Sequence, residues 1–257
     1  MYSMSLTVYV IYHDVLLWEN YKRLDPDELD LITFVCVNKS IPKREDFTPK
    51  RLICEWDLPE YDENLQRLHV CDETMVPKSH FNETGVHWHL ALNKVCTTDF
   101  IYVCHNDMVF TQGSIRNIQS LLKPGRGITI ARVNFDKLVN TSTYGQYELS
   151  MYTYTCRELG VDTQKMFPLF TNCAMETRVF EEQMHKLIRI NKKLFLSTLP
   201  GPSYRPAITF ERTWALAMGT VLDEVLVVNG ILHGHPPTDQ LLIDTEGGTK
   251  TQYPQFS

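Results

Sequence analysis

Residues 80–113, HFNETGVHWHLALNKVCTTDFIYVCHNDMVFTQG, restrict the fold more than any other stretch of the chain. Apolar residues return at Val86, Leu90 and Val95, with Trp88, Ala91 and Leu92 on a second ridge, which is helical spacing. Thr84 and Gly85 are the expected start positions of that helix. Phe100 to Cys104 is an uninterrupted apolar run, short enough for a strand buried on both faces. The polar tripeptide His105-Asn106-Asp107 follows at once. In an open α/β sheet, ligands lie just outside the carboxyl ends of the strands. Asp107 falls at such an end, where a carboxylate can hold a divalent cation against a phosphate.

The flanking sequence alternates strand and helix patterns. Leu6–Tyr12 (LTVYVIY) reads as a first strand, ending in His13-Asp14. Asp14 is expected to cap a helix with Val15, Leu16, Trp18 and Tyr21 on its buried side. Asp30–Asn38, Arg51–Trp56 and Leu68–Cys71 read as further strands, the last two followed by Asp57 and Asp72. Beyond the central stretch come a helix over Gly113–Leu122, a strand over Ile128–Val133 and a Tyr-rich helix over Tyr144–Leu159. A strand at Phe170–Met175, helices at Glu176–Ile190 and Ile208–Met218, and a last strand at Val225–His235 complete the reading. This order predicts a mostly parallel central sheet flanked by helices.

The net charge of −6 argues against a broad nucleic-acid surface. An anionic ligand must then be held locally, by a metal, a helix N-terminus or a few Arg and Lys. The seven cysteines form no CxxC pair, and Cys36, Cys54, Cys71 and Cys104 lie inside apolar runs, which favours a reducing compartment. The opening run has no basic flank and is too short for a signal peptide or a membrane span. A cytoplasmic protein without a transmembrane segment is the expectation. No repeat or linker divides the 257 residues, so a single domain with a loosely held tail over 247–257 is expected. The oligomeric state is not legible.

Three local patterns carry a resemblance: Glu83-Thr84, Trp88 and Asn93-Lys94 running into Cys104-His105-Asn106-Asp107; Asn172-Cys173-Ala174-Met175 before an amphipathic helix; and Arg205 followed by Phe210-Glu211-Arg212. Together with the order of elements, the chain resembles the GT-A fold of nucleotide-sugar glycosyltransferases, and most of all the small capsular-polysaccharide-type and large-virus-type enzymes. The resemblance implies a single GT-A-like (Rossmann-like) domain, with a nucleotide-sugar-binding half at 5–135 and an acceptor-side half at 136–240. It implies transfer of a sugar from a UDP- or GDP-linked donor to a glycan acceptor, with Mn²⁺ or Mg²⁺ stabilising the diphosphate leaving group.

Where the family pattern has Asp-x-Asp, this chain has His105-Asn106-Asp107, so Asp107 matches the direct metal ligand and His replaces the first Asp. A late His supplies a second ligand in related enzymes, for which His233 and His235 are candidates. Glu211 is where the resemblance implies a general base, which inverting transfer requires, and Arg212 beside it would reach the diphosphate or pair with Glu211. Tyr12, His13 and Asn38 would read the donor base, Asp72 its ribose, and Thr84 opens a helix whose first amides would face phosphate. A zinc site built on His87 and His89 is disfavoured, because positions i and i+2 of a helix do not face each other. Two other classes stay open: a nucleotidyltransferase-like enzyme, against which the lack of a Gly-rich loop after the first strand counts, and a non-catalytic sugar-nucleotide-binding protein.

Overall fold

The β-branched and aromatic run Leu6–Tyr12 forms β1, buried along its whole length and paired on both sides. The computed structural model describes residues 4–12, 18–37, 39, 41–43, 45–62, 83–105, 108–135, 146–168, 172–196 and 206–233; of these, 19–20, 83–84, 146–152, 191–196, 206–211 and 232–233 are described through the backbone alone. After β1 come α1 (Trp18–Tyr21), α2 (Pro26–Leu29), β2 (Ile32–Cys36) and β3 (Leu52–Cys54). The middle of the chain supplies α3 (Glu83–Leu92), β4 (Phe100–His105), β5 (Met108–Phe110), α4 (Ser114–Leu121), β6 (Arg126–Thr129) and β7 (Arg132–Asn134). The remainder forms α5 (Gln146–Leu159), β8 (Met166–Pro168), β9 (Cys173–Glu176), α6 (Thr177–Leu196), α7 (Pro206–Val221), β10 (Glu224–Val227) and β11 (Ile231–His233).

Among the described residues, the central sheet has seven strands in the order β10-β6-β9-β4-β1-β2-β3. Only β9 opposes the others, pairing antiparallel with β4 and β6. The protein is therefore an α/β fold around a mostly parallel sheet, as expected. Alternation along β1 divides the core in two. Leu6, Val8, Val10 and Tyr12 face a layer that includes Trp18, Tyr21, Ile115 and Ile118. Tyr9 and Ile11 face the other layer, with Val86, Leu90, Phe180, Met184 and Trp214. Each large aliphatic side chain so buried stabilises the fold by roughly 1.5–3 kcal/mol relative to exposure. That is why the doubly covered strands are the apolar ones.

Several boundaries differ from the sequence reading, and pairing explains them. Ile128–Val133 is not one strand: β6 stays in the central sheet, and the chain then leaves it so that β7 pairs antiparallel with β8. Val225–His235 also divides. β10 pairs with β6, Gly230 turns with φ at 91°, and β11 pairs antiparallel with β5. Arg51–Trp56 keeps only three strand residues before a 3₁₀ turn at Glu55–Asp57. The expected strand at Leu68–Cys71, and Asp14, Val15 and Leu16 of the first expected helix, lie outside the described residues.

Candidate functional site at the carboxyl edge of the sheet

The parallel strands β1, β2 and β4 end together: Tyr12 faces Cys36, and Ile11 faces His105. Two helices bring their first turns to this edge. α3 leads back into the amino end of β4, so its opening turn, which contains Thr84, lies toward the carboxyl edge. α7 runs toward the amino end of β10, so Glu211 and Arg212, near its start, lie toward the same edge. A ring contact chain confirms the arrangement of these elements. Trp214 of α7 packs edge-on against His87 of α3 at 6.0 Å between centroids, and His87 lies 6.0 Å from His105.

His87 is fully buried, and that burial, together with the neighbouring His105, holds its pKa well below the ordinary imidazole value. It is therefore a neutral ring at pH 7. His89, two residues on, points elsewhere. Its Nδ1 lies 2.6 Å from Glu55 Oε1, with both side chains wholly buried. Its Nε2 accepts from the Asp62 N–H at 3.0 Å, so Nδ1 carries the proton donated to Glu55. This pair fastens the segment after β3 onto α3. Asn93 adds to it by accepting from the Glu60 N–H and donating to the His89 carbonyl. The two histidines diverge, and among the described residues no group of three His, Cys, Asp or Glu side chains is arranged to hold a metal.

The strand β5 and the segment that follows it are tied to neighbouring elements. In the register of β5 and β11, Met108 faces His233. The Tyr21 hydroxyl donates to the Met108 carbonyl. Thr111 donates both its N–H and its hydroxyl to the Gly230 carbonyl, at 2.7 and 2.8 Å. Glu28, wholly buried, accepts from the amides of Gly113, Ile115 and Arg116 at 2.6, 2.9 and 3.1 Å. Its carboxylate fills the anion-binding end of α4. That helix terminus is therefore occupied by the protein itself. Tyr21 was expected only as part of the buried side of the first helix, and Glu28 was not singled out in the sequence; the acidic Pro26-Asp27-Glu28 turn was the one available signal.

The expected site residues fall as follows. His105 ends β4 and is 8% exposed. Tyr12 is wholly buried: its ring stacks on Phe47 at 4.7 Å and meets Phe34 and Tyr21 edge-on. That ring is part of the core, stacked on Phe47 and closed off from solvent. Arg212 is half-buried, and its Nη1 is buried without a hydrogen-bond partner among the described residues. Thr84, Glu211 and His233 are placed by their backbones in α3, α7 and β11. His13, Asn38, Asp72, Asn106, Asp107 and His235 lie outside the described residues. Asn172, in contrast, is a local tie, its carbonyl accepting from the Thr129 hydroxyl at 2.8 Å. A cleft of about 610 Å³, lined in part by Lys94, Asp99 and Arg178, opens at the opposite, amino-terminal edge of the sheet.

No known family model matches the chain, and no curated protein matches it either. Among solved structures, it is similar to the crystal structure of core-mannan synthase A from Aspergillus fumigatus in its Mn/GDP form. The TM-score is 0.46 and the identity 9%, over 91% of this chain and 75% of that one. No helix among the described residues is long and apolar enough to cross a membrane.

Proposed function

We propose that the protein is a metal-dependent, inverting glycosyltransferase that moves one sugar from a UDP- or GDP-linked donor to a glycan acceptor. The observation that carries the reading is the register of β5 and β11. It sets His233 opposite Met108, and Met108 is next in the chain to Asp107, just beyond the carboxyl end of the central strand β4. Two side chains of ligand-capable type, separated by more than a hundred residues in the sequence, would thereby come from neighbouring stretches of chain. A carboxylate oxygen and an imidazole nitrogen suit Mn²⁺, and a carboxylate suits Mg²⁺ where phosphate oxygens complete the shell. Asp107 would hold the cation, with His233 or His235 assisting. When bound, the cation would supply Lewis-acid stabilisation of the diphosphate leaving group.

The chain's own groups do the rest. Arg212, whose buried Nη1 has no partner among the described residues, would donate to a diphosphate oxygen. The opening amides of α3, at Thr84, would face the same anion. Glu211, adjacent to Arg212 at the start of α7, would take the proton from the acceptor hydroxyl as that oxygen attacks the anomeric carbon. His13, Asn38 and Asp72 would read the base and ribose, over a floor that the Tyr12 ring supports from within the core. His105 and Asn106 would shape the approach to Asp107.

Calorimetric titration with UDP- and GDP-sugars, with and without Mn²⁺, tests the reading. Metal-dependent binding of a sugar nucleotide is the expected result, abolished in Asp107→Ala while the circular dichroism spectrum is kept. Preference for a bare nucleoside triphosphate would turn the assignment toward nucleotidyl transfer. Absence of any binding would sink it.

A further inference from the structure

We propose that Cys36 and Cys54 form a cross-strand dithiol that a low-molecular-weight disulfide such as glutathione disulfide oxidises to an intramolecular disulfide, clamping the edge strand β3 to β2. The two residues are direct register partners of adjacent parallel strands. They also share a face: Phe34 and Cys36 of β2 belong to the same core layer that Cys54 packs against, while Ile53 packs into the opposite layer. Adjacent strands lie about 4.8 Å apart, inside the range of Cα separations, roughly 4.4–6.8 Å, that a disulfide spans. β3 is three residues long and, among the described residues, pairs on one side only, so it can make the small shift that brings the two Cβ atoms together.

The other described cysteines have no such partner. Cys104 faces Val10, and Cys173 faces Val103 and Thr129. Cys96 contacts the hydroxyls of Thr98 and Thr177. Burial pushes the Cys173 thiol up to about 12 and the Cys156 thiol up to about 11, which makes both poor nucleophiles at neutral pH. Access separates the roles within the pair, since Cys54 is half-buried and Cys36 is wholly buried. The Cys54 thiolate attacks the small disulfide, forming a mixed disulfide and releasing one glutathione thiolate. The Cys36 thiolate then attacks the Cys54 sulfur and displaces the second glutathione. Two protein thiols are oxidised, one small disulfide is reduced, and the two thiol protons end on the two glutathiones. Partial burial and the Asp57 carboxylate, which accepts a hydrogen bond from Cys54, raise that thiol's pKa, so the exchange is slow rather than absent.

The bond would fix a junction that is otherwise held by hydrogen bonds. β3 runs straight into Glu55, whose carboxylate is tied to His89 of α3, so clamping β3 also stiffens its attachment to that helix. The test is incubation of the whole protein with glutathione disulfide, followed by non-reducing peptide mass spectrometry and amide hydrogen exchange. The expected product is a peptide cross-linked between Cys36 and Cys54, with slowed exchange across 52–58. In Cys36→Ser, Cys54 should retain a stable glutathione adduct, because the displacing thiol is gone. Phenylarsine oxide, which bridges neighbouring thiols, should protect the accessible Cys54 from alkylation in the wild-type protein and fail to do so in Cys36→Ser. A stable glutathione adduct at Cys54 in the wild-type chain, a cross-link to any other cysteine, or equal protection of Cys54 by the arsenical in both proteins would overturn the proposal.

Discussion

Glu28 is a buried carboxylate that, among the described residues, meets three backbone amides and one guanidinium. It accepts three N–H groups at the start of α4, and Arg116 Nη2 lies 3.8 Å away. Glutamine at this position would keep the shape but lose the charge that the helix terminus and the arginine both favour, and one oxygen acceptor would become a donor facing other donors. Glu28→Gln should therefore lower stability by about 1.5–3 kcal/mol, read as a lower urea midpoint with an unchanged slope. The residue was illegible in the sequence because its partners lie 85 to 88 positions further along the chain. Glu211 raises the opposite case: a residue whose chemistry the sequence suggested and whose effect should be on rate alone. Glu211→Gln should leave donor binding unchanged by calorimetry and slow transfer by about 10²–10⁴-fold, the contribution usual for a positioned general base. An equal loss of donor affinity would mark it as a binding residue instead.

At the scale of elements, the runs with one environment throughout were read correctly and those that change partner midway were not. Leu6–Tyr12 was placed to the residue because it sits between β2 and β4 and is buried from end to end. Val225–His235 was read as one strand because periodicity carries no information about which sheet a strand joins. The signal that divides it was visible all the same, as Gly230, the single glycine between two apolar segments. Its φ of 91° lies in the left-handed region, and an added Cβ would meet Thr111 Oγ1 at 2.8 Å and Ser114 Cβ at 3.1 Å. Gly230→Ala should cost at least about 1–2 kcal/mol from the backbone conformation alone, before any clash. Because Gly230 also accepts both Thr111 hydrogen bonds, the strain falls on the junction of β5 and β11. Denaturant unfolding should show the loss, and Mn²⁺-dependent donor binding should weaken in parallel if His233 serves the cation.

Across the whole molecule, the helices meet the sheet through buried side chains that come from distant parts of the chain, and one of these side chains makes stability depend on pH. His87 sits where α3, β4, α6 and α7 meet, its ring against His105, Phe180 and Trp214. Its folded pKa lies well below the unfolded value near 6.5, first through burial and then through His105. Above that unfolded value neither state binds the proton, and His87 makes no pH-dependent contribution. As pH falls below it, the unfolded chain takes up a proton that the folded protein refuses, so stability declines, by at most about 1.4 kcal/mol per pH unit for one site. Urea midpoints measured at pH 7.5 and 5.5 should therefore fall with acidity in the wild-type protein. His87→Gln removes the titrating group, so its midpoint should fall less over the same interval, the difference isolating this ring from the other eight histidines of the chain. Equal slopes in the two proteins would mean that His87 takes up its proton in the folded state. The contact between α3, α7 and the end of β4 would then tolerate a charge, and the packing that brings Glu211, Arg212 and His105 to one edge would be looser than the ring geometry indicates.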